Sequence, residues 1–452
     1  MKRDAIDLST QNVFVLFRKF FLPTLFGMLS ISAVTAIDGV FVGHGVGSDG
    51  IAAINIAVPI FMVLTGVGLM IGAGCSVVAS IQLARGKEKA ARLNVTQAML
   101  SGMLIALVPT VLILSFPQAT ARLLGASPHL MSMVVDYLVW LAPAFVFQVW
   151  EAIGLFIVRL DGSPRLAMLC SVVAAVVNAV LDWLFIFPFG WGLMGAALAS
   201  SLAMVVGGVM VVAYIGFFAR RLRFYPLKRS WKSFRLSLRN IGYQCRIGSS
   251  ALLGEATIAM LMFVGNQVFM HWLGDDGVGA FGIACYYIPF VFMVGNAIAQ
   301  SAQPIISYNF GLGKSVRVAD ATHISLATAL FCGLFVTALF VLFPEFLVSL
   351  FVRLEGNAAQ IAVKGFPYFS TGFTFFIINL TAIGYFQSVE RVRTATVFAL
   401  LRGCFFLVPC FVLLPHVLGN VGIWMALSLS EALTSAGLLL RWGWVKMYGK
   451  TE

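Results

Sequence analysis

Residues 172–187 read VVAAVVNAVLDWLFIF, an apolar segment that contains two polar side chains, Asn178 and Asp182, four residues apart. On an α-helix this spacing places both side chains on one face, one turn apart. A carboxylate at the centre of a bilayer costs about 2.5–3.5 kcal/mol on insertion scales, so such a residue usually faces a partner or a water-filled cavity. A second acid, Asp38, lies near the end of the first apolar segment. We therefore expect the two carboxylates, Asp38 and Asp182, to meet.

The composition around this segment is that of a membrane protein. Of 452 residues, 60% are hydrophobic and 11% are charged, and the mean hydropathy is +0.96, whereas an average soluble domain has about 25% charged residues. A bilayer core needs about 20 apolar residues per crossing helix. The sequence predicts an all-α polytopic membrane protein with twelve transmembrane helices, at about residues 14–40, 51–81, 93–115, 131–157, 166–188, 192–217, 247–270, 279–309, 321–343, 362–388, 394–414 and 421–444.

The Lys and Arg residues predict the orientation of these spans. If the first residues are cytoplasmic and every span crosses, the inner loops hold all of the 30 Lys and Arg residues except Arg122, Arg353 and Lys364. This count assigns Arg402 to the inner side, although that residue lies somewhat inside its span. The positive-inside bias predicts an even number of crossings, with both termini on the cytoplasmic side of the plasma (inner) membrane. It also accounts for the net charge of +12 without a nucleic-acid partner.

The chain contains an internal repeat. Residues 47–51 (GSDGI) recur as 274–278 (GDDGV), and residues 84–87 (ARGK) recur as 311–314 (GLGK), both at an offset of 227 residues. Each half holds six predicted spans, an even number, so the second half enters the membrane in the same direction as the first. The repeat is therefore of the parallel kind, which places a substrate cavity between two helix bundles.

The repeat predicts three regions: an N-terminal six-helix lobe at 1–217, a basic cytoplasmic connector at 218–245 and a C-terminal six-helix lobe at 246–452. The connector contains no acidic residue and has aromatic residues among its Lys and Arg residues. That pattern is typical of an amphipathic segment at a membrane surface. We interpret it as a plain linker, with a regulatory or lipid-headgroup role as the less favoured alternative.

Together these features resemble the multidrug and toxic compound extrusion (MATE) transporters, and specifically their DinF-like bacterial branch. The resemblance covers essentially the whole chain. It rests on twelve spans in two repeated halves, the long basic connector, Pro23 and Asp38 in the first span, and Asn178-x-x-x-Asp182 in the fifth. It implies two six-helix lobes in a V shape around a central cavity.

The resemblance also implies a cation site in the N-terminal lobe. Its ligands would be Asp38, Asn178 and Asp182 together with Ser200, which stands where the family has threonine. Pro23 matches the proline about which the first helix bends in this branch. Tyr137 matches a tyrosine of the same hydrogen-bond network. Such a carboxylate pair could hold one proton, or a Na⁺ ion with help from the Asn and Ser oxygens.

The implied function is secondary active efflux, an exchange of H⁺ or Na⁺ for amphipathic, often cationic drugs or toxic compounds. We expect a monomer in the lipid bilayer that is not an enzyme and uses neither a cofactor nor ATP. Residues 308–315 end in GKS like a phosphate-binding loop, but Tyr308 stands where that loop requires glycine. The alternative function within the same superfamily is a flippase for a lipid-linked sugar or another amphipathic metabolite.

Three further acids lie in apolar surroundings outside the predicted cation site. For Glu255, in the seventh span, a contact to a cation or substrate in the second lobe and a buried structural carboxylate both remain open. For Glu151 and Glu431 the structural interpretation is preferred. A membrane-embedded enzyme would require a cluster of His, Cys or acidic residues near one membrane face, and the sequence offers none.

Overall fold

A computed structural model of the chain describes residues 6–228, 230–352 and 354–448, with only the backbone described for Ser48 and for residues 443–448. Within these ranges all regular structure is helical. Arg353, one of the three charges predicted to lie outside, is not among the described residues.

The first half of the chain forms eight helices that supply six spans. Proline begins the short helix α4 and interrupts the span formed by α5 and α6, which are joined by a 3₁₀ turn at Ala142–Ala144. The last helix continues into a π-helical turn at Tyr214–Phe218. The helices are α1 (Val13–Gly45), α2 (Ser48–Ala84), α3 (Glu88–Ser115), α4 (Pro117–Leu123), α5 (Met131–Leu141), α6 (Phe145–Leu160), α7 (Pro164–Ile186) and α8 (Gly192–Ala213).

The second half forms six helices, the first of which is long enough to contain two spans. A π-helical turn at Leu401–Phe405 separates α13 from α14. The helices are α9 (Trp231–Gly311), α10 (Ser315–Leu342), α11 (Pro344–Ser349), α12 (Asn357–Ser388), α13 (Val392–Leu400) and α14 (Leu407–Tyr448). Helix α9 begins inside the predicted connector, which is therefore helical from Trp231 onward.

Ten stretches of the described chain are long and apolar enough to cross a membrane. Two of them are much longer than a single crossing requires, with 81 residues at Trp231–Gly311 and 51 residues at Val392–Trp442. Each contains a glycine with non-helical dihedral angles, Gly274 at φ 64° and Gly419 at φ 57°, where one helix ends and the next begins. Dividing both stretches at these glycines gives the twelve predicted spans.

The internal repeat is visible in the backbone as well as in the sequence. Residues 227 positions apart adopt the same left-handed conformation, which glycine reaches without strain. The matched pairs are Gly47 (φ 95°) with Gly274 (φ 64°), Gly86 (φ 72°) with Gly313 (φ 73°), and Gly192 (φ 54°) with Gly419 (φ 57°). Pro117 and Pro344 likewise each begin a short helix at the same offset. The two halves thus share their turns.

The described chain divides into two compact units. The first contains the chain up to Leu252 together with Ser307–Ser315, and the second contains Leu253–Ile306 and the chain from Val316 onward. In the first unit α7 packs against both α1 and α8, and in the second α12 packs against α14. Gly27 of α1 brings the two backbones close, since a β-carbon there would lie 3.3 Å from the Cα of Met168 in α7.

Candidate functional site

The core of the predicted site lies on α7. Asn178 and Asp182 are both buried, with exposed fractions of 7% and 0%. As the four-residue spacing predicts, the Asn178 amide donates a hydrogen bond to Asp182 Oδ2 at 2.9 Å. The rest of this helix is predominantly apolar and packs between α1 and α8, so the amide and the carboxylate are enclosed by helices on two sides.

Helix α1 supplies the second carboxylate. Asp38 lies near enough to Asp182 for the negative charges of the two groups to act on each other. Asp38 Oδ1 and Asp182 Oδ1 are both buried, and neither accepts a hydrogen bond from the described residues. A buried polar atom without a partner is energetically costly. These two oxygens are therefore the natural acceptors for a proton or a cation.

The hydroxyl groups of two adjacent serines on α8 have different partners. Ser200 Oγ lies 3.4 Å from the amide nitrogen of Asn178, on the side of the carboxylates. Ser201 Oγ instead donates a hydrogen bond of 2.6 Å to the backbone oxygen of Trp140 in α5. Of the two hydroxyls, only that of Ser200 lies among the predicted site residues.

Tyr137 on α5 lies near the Asp38 and Asp182 carboxylates in the first unit. Its ring is buried, with 7% exposed, and its hydroxyl group is within electrostatic range of both Asp38 and Asp182. Asp136, the preceding residue in the sequence, is exposed. The tyrosine is thus the polar group that α5 contributes near the carboxylates.

Pro23 does not belong to the carboxylate cluster. It lies fifteen residues before Asp38 on α1, which corresponds to roughly 22 Å of helix at about 1.5 Å per residue. The helix is continuous across this proline. A small cavity of about 20 Å³ adjoins Pro23, lined also by Thr24, Arg159 and Ser171 among others. This volume is enough for about one water molecule.

The group of side chains at Asp38 and Asp182 offers only oxygen ligands. The two carboxylates, the Asn178 side-chain oxygen and the Ser200 hydroxyl are the kind of donors that hard cations prefer. The Asn178 amide nitrogen holds Asp182 and Ser200 in place by donating toward both. The arrangement can bind one proton shared by two carboxylates, or one small hard cation such as Na⁺.

The acids outside this group have different environments. Glu255 belongs to the second unit, and its Oε1 atom is buried without a hydrogen-bond partner among the described residues. The carboxylate of Glu151 packs against the backbone of α8 at Gly207, where a β-carbon would collide with it. No other charged side chain of the described chain acts on the Glu151 or the Glu255 carboxylate. The described part of the chain also has no group of three or more His, Cys, Asp or Glu side chains that could hold a metal ion.

Arg402, which was counted with the inner loops but expected somewhat inside its span, is buried within the helical segment. This side chain is 1% exposed, and its Nε atom donates a hydrogen bond of 2.6 Å to Glu431 Oε1. Asn379 donates to the other carboxylate oxygen at 2.7 Å, and Ser435 donates to the Asn379 side-chain oxygen at 2.7 Å. The Arg402 guanidinium also lies 3.9 Å from the centre of the Phe376 ring. This network favours the structural interpretation of Glu431.

The pairing of Arg402 with Glu431 was not predicted from the sequence, although one signal was present. Both are charged residues inside apolar segments, and buried charges are normally paired. Asp161, at the end of α6, was missed for a different reason. Its carboxylate accepts hydrogen bonds from the backbone nitrogens of Arg220, Arg221 and Leu222. These hydrogen bonds hold the start of the connector against the end of α6. No local sequence pattern predicts a contact between residues about 60 positions apart.

Curated proteins similar to this chain include two staphylococcal exporters. Multidrug export protein MepA of Staphylococcus aureus (strain MSSA476) is 23% identical over 436 residues, which cover 95% of this chain and 93% of that protein. The protein of the same name from Staphylococcus saprophyticus is 23% identical over 444 residues, with the same coverage.

Solved structures with this fold include a multidrug resistance MATE family transporter of the MOP superfamily in an outward-facing conformation. It has a TM-score of 0.90 and 20% sequence identity, and the match covers 99% of this chain and 98% of that chain. A MOP superfamily transporter from Pyrococcus furiosus has a TM-score of 0.89 and 19% identity, with 100% of both chains covered. The all-α fold expected from the resemblance is therefore confirmed.

The family model described as MatE matches the chain twice, at residues 23–184 and 251–412. There is one match in each half, in agreement with the internal repeat, and together they cover most of the chain. Members of this family are membrane transporters of small molecules and not enzymes, and they need no cofactor. The chain belongs to the MatE family.

Proposed function

We propose that this transporter exports amphipathic, often cationic compounds in exchange for H⁺ or Na⁺. The cation site is formed by Asp38, Asn178, Asp182 and Ser200, with Tyr137 in its hydrogen-bond network. The observation that carries the proposal is the pair of buried carboxylate oxygens, Asp38 Oδ1 and Asp182 Oδ1, which accept no hydrogen bond from the described chain.

The physical argument concerns the charge of the pair. Two carboxylates that interact in a poorly hydrated region cannot both be ionised without a large cost, and one proton or one Na⁺ ion removes most of the repulsion. The occupied site is therefore far more stable than the empty site in the same protein conformation. Binding and release of the cation then bias the conformation of the helices that carry the ligands, α1, α7 and α8.

The hinge of this conformational change is Pro23. A proline leaves one helical carbonyl without its usual partner and so creates a weak point in a membrane helix. A cavity with room for about one water molecule adjoins Pro23, so the packing around this part of α1 is incomplete. Cation entry at Asp38, on the same helix, favours one shape of α1 and drives the export step.

The export of organic compounds is supported by the staphylococcal relatives, whose names describe multidrug export. These relatives do not favour the alternative function, the flipping of a lipid-linked sugar. In this proposal the protein is a monomer in the plasma (inner) membrane with both termini in the cytoplasm. The lobe at 1–217 carries the cation site, the connector at 218–245 joins the halves, and the lobe at 246–452 contributes Glu255 as a substrate contact.

The proposal is tested by ethidium efflux from proteoliposomes under an imposed pH gradient or an imposed Na⁺ gradient. One of the two gradients is expected to drive efflux by the unmodified protein. Asp38→Asn and Asp182→Asn are each expected to reduce that gradient-driven efflux by at least about tenfold, because the remaining carboxylate no longer shares its cation. Size-exclusion chromatography before reconstitution checks that each variant is folded. Equal amounts of folded protein are then reconstituted into the vesicles.

The matched control is Asp136→Asn, which makes the same chemical change on α5 at an exposed position. This variant is expected to keep its gradient-driven efflux. Full activity of both Asp38→Asn and Asp182→Asn would overturn the assignment of the site. Absence of gradient-driven efflux of ethidium and of tetraphenylphosphonium by the unmodified protein would overturn the proposed export of organic cations.

A further inference from the structure

The first turns of α9, residues 231–244, have a polar face that is turned toward α3. Gln97 donates a hydrogen bond of 2.8 Å to the Ser237 hydroxyl, and Asn240 donates to the side-chain oxygens of Asn94 and Gln97. Gln244, which is fully buried, donates to Asn94 as well. The polar side of this helical segment is therefore already occupied by the protein.

The opposite face carries an exposed apolar stripe. Trp231, Phe234 and Leu238 are 80%, 53% and 54% exposed. They stand at positions i, i+3 and i+7, which align on one side of a helix. The rings of Trp231 and Phe234 stack at 5.6 Å between their centres. This is the reverse of a helix at a water-exposed surface, where the apolar side faces the core.

A stripe of positive charge runs beside the apolar stripe. Lys232, Arg235 and Arg239 repeat the i, i+3, i+7 spacing one position later, and all three are exposed. Residues 218–245 contain no acidic residue, and the first turn of α9 has none. Positive side chains near a helix N-terminus are unfavourable in water, and a negatively charged partner relieves that repulsion.

We propose that this face of α9 is a binding surface for the headgroups of anionic phospholipids. Trp231, Phe234 and Leu238 enter the boundary between headgroups and acyl chains, while Lys232, Arg235 and Arg239 contact the phosphates. Two features argue for lipid rather than for another anionic partner. The helix continues from this segment into an apolar span without a break before Gly274, so its first turns lie where the span leaves the bilayer. Tryptophan and basic residues are also the side chains that membrane interfaces favour.

The experiment uses the full protein in nanodiscs that contain phosphatidylglycerol and phosphatidylcholine in equal amounts. In one preparation only the phosphatidylglycerol carries brominated acyl chains, and in the other only the phosphatidylcholine does. The chain has 9 Trp residues, so the quenching of Trp231 is taken as the difference between the unmodified protein and Trp231→Phe. We expect bromine on phosphatidylglycerol to quench Trp231 at least about twofold more than bromine on phosphatidylcholine, because basic side chains enrich anionic lipid around them.

The triple variant Lys232→Gln/Arg235→Gln/Arg239→Gln is expected to lose this preference while Trp231 is still quenched by both lipids. The matched control is Arg85→Gln/Lys87→Gln/Lys89→Gln, which removes the same charge from three exposed residues in the turn from α2 to α3 and the first turn of α3. This control is expected to retain the preference.

Equal quenching by the two lipids in the unmodified protein would overturn the proposal. Loss of the preference in both triple variants would do the same, since it would assign the effect to total charge. Quenching by neither lipid would also overturn the proposal, because Trp231 would then lie outside the membrane. Binding of a soluble anionic partner such as RNA would be measured next. No outcome depends on transport, so the result is independent of the proposed export function.

Discussion

Ser200 and Ser201 are neighbours in the sequence, yet their hydroxyl groups serve different purposes. The Ser200 hydroxyl lies beside Asn178 and the carboxylate pair. The Ser201 hydroxyl instead donates a hydrogen bond to the backbone oxygen of Trp140. The difference follows from the helical rotation of about 100° per residue, which turns adjacent side chains of α8 toward different neighbours.

Alanine substitution should separate these two roles. In Ser200→Ala the cation loses one oxygen ligand, so the cation concentration for half-maximal transport is expected to rise by about two- to tenfold, which corresponds to about 0.5–1.5 kcal/mol. Ser201→Ala is expected to leave that concentration unchanged and to lower stability by a similar amount. The measurement is cation-dependent efflux from proteoliposomes. A larger shift in Ser201→Ala than in Ser200→Ala would contradict the assignment.

At the level of elements, glycines set how closely α2 and α9 approach. A β-carbon at Gly248 of α9 would overlap the backbone oxygen of Met70, and one at Gly74 of α2 would overlap the backbone oxygen of Gln244. Because the obstacle is backbone in each case, no side-chain rotation can make room.

This contact predicts opposite effects for two glycines of the same helix. Gly248→Ala is expected to lower stability by about 1–3 kcal/mol, since the helices must move apart. Gly242→Ala has no atom within 4 Å of its new β-carbon, and is expected to raise stability by up to about 1 kcal/mol through helix propensity. Thermal unfolding in detergent measures both. If both variants are stabilised, α2 and α9 do not pack at Gly248.

The buried Arg402 and Glu431 pair joins the π-helical turn 401–405 to α14, and Asn379 extends the connection to α12. A single substitution would leave one buried charge without compensation. Glu431→Leu is therefore expected to lower stability by about 3–5 kcal/mol, whereas the double variant Arg402→Met/Glu431→Leu should recover most of that loss. Thermal unfolding of the single and double variants forms the test, with the exposed Glu345→Gln as a near-neutral control. A double variant as unstable as Glu431→Leu would show that the pair contributes more than charge compensation.

At the scale of the whole molecule, the repeat preserves turns but not the candidate site. The three glycine pairs keep their backbone conformation at an offset of 227 residues. At offsets of 227 and 228 residues, the positions that correspond to Asp38 are Gly265 and Asn266, and those that correspond to Asp182 are Pro409 and Cys410, so the second half lacks both carboxylates. The second half instead contains the Arg402 and Glu431 pair, in which the charges cancel.

This asymmetry predicts the effect of neutralising Glu255. Since Glu255 has no second carboxylate nearby with which to share a cation, Glu255→Gln is expected to retain its dependence on the H⁺ or Na⁺ gradient. As a substrate contact it should change the ethidium concentration for half-maximal efflux by about tenfold or less. Efflux titrations at fixed gradient measure this. Loss of gradient dependence in Glu255→Gln would instead assign a cation site to the second half.

Much of this fold could be predicted from the sequence because the bilayer imposes strict local rules. Each crossing needs a long apolar segment with an internally satisfied backbone, which only a helix provides here. The twelve spans and the positions of the repeated turns follow from apolar runs, glycines and prolines. The contact of Asn178 with Asp182 could also be predicted, since both residues lie on one helix.

Only the tertiary structure decided the contacts between helices. The choice of Ser200 over Ser201 and the pairing of Arg402 with Glu431, 29 residues away, depend on how each helix is rotated about its axis. So does the proximity of Asp38 to Asp182, which the sequence predicted only from the cost of placing a lone carboxylate in a membrane and from a family resemblance. Rotation and depth are set by side-chain packing over many turns, which no short stretch of sequence encodes.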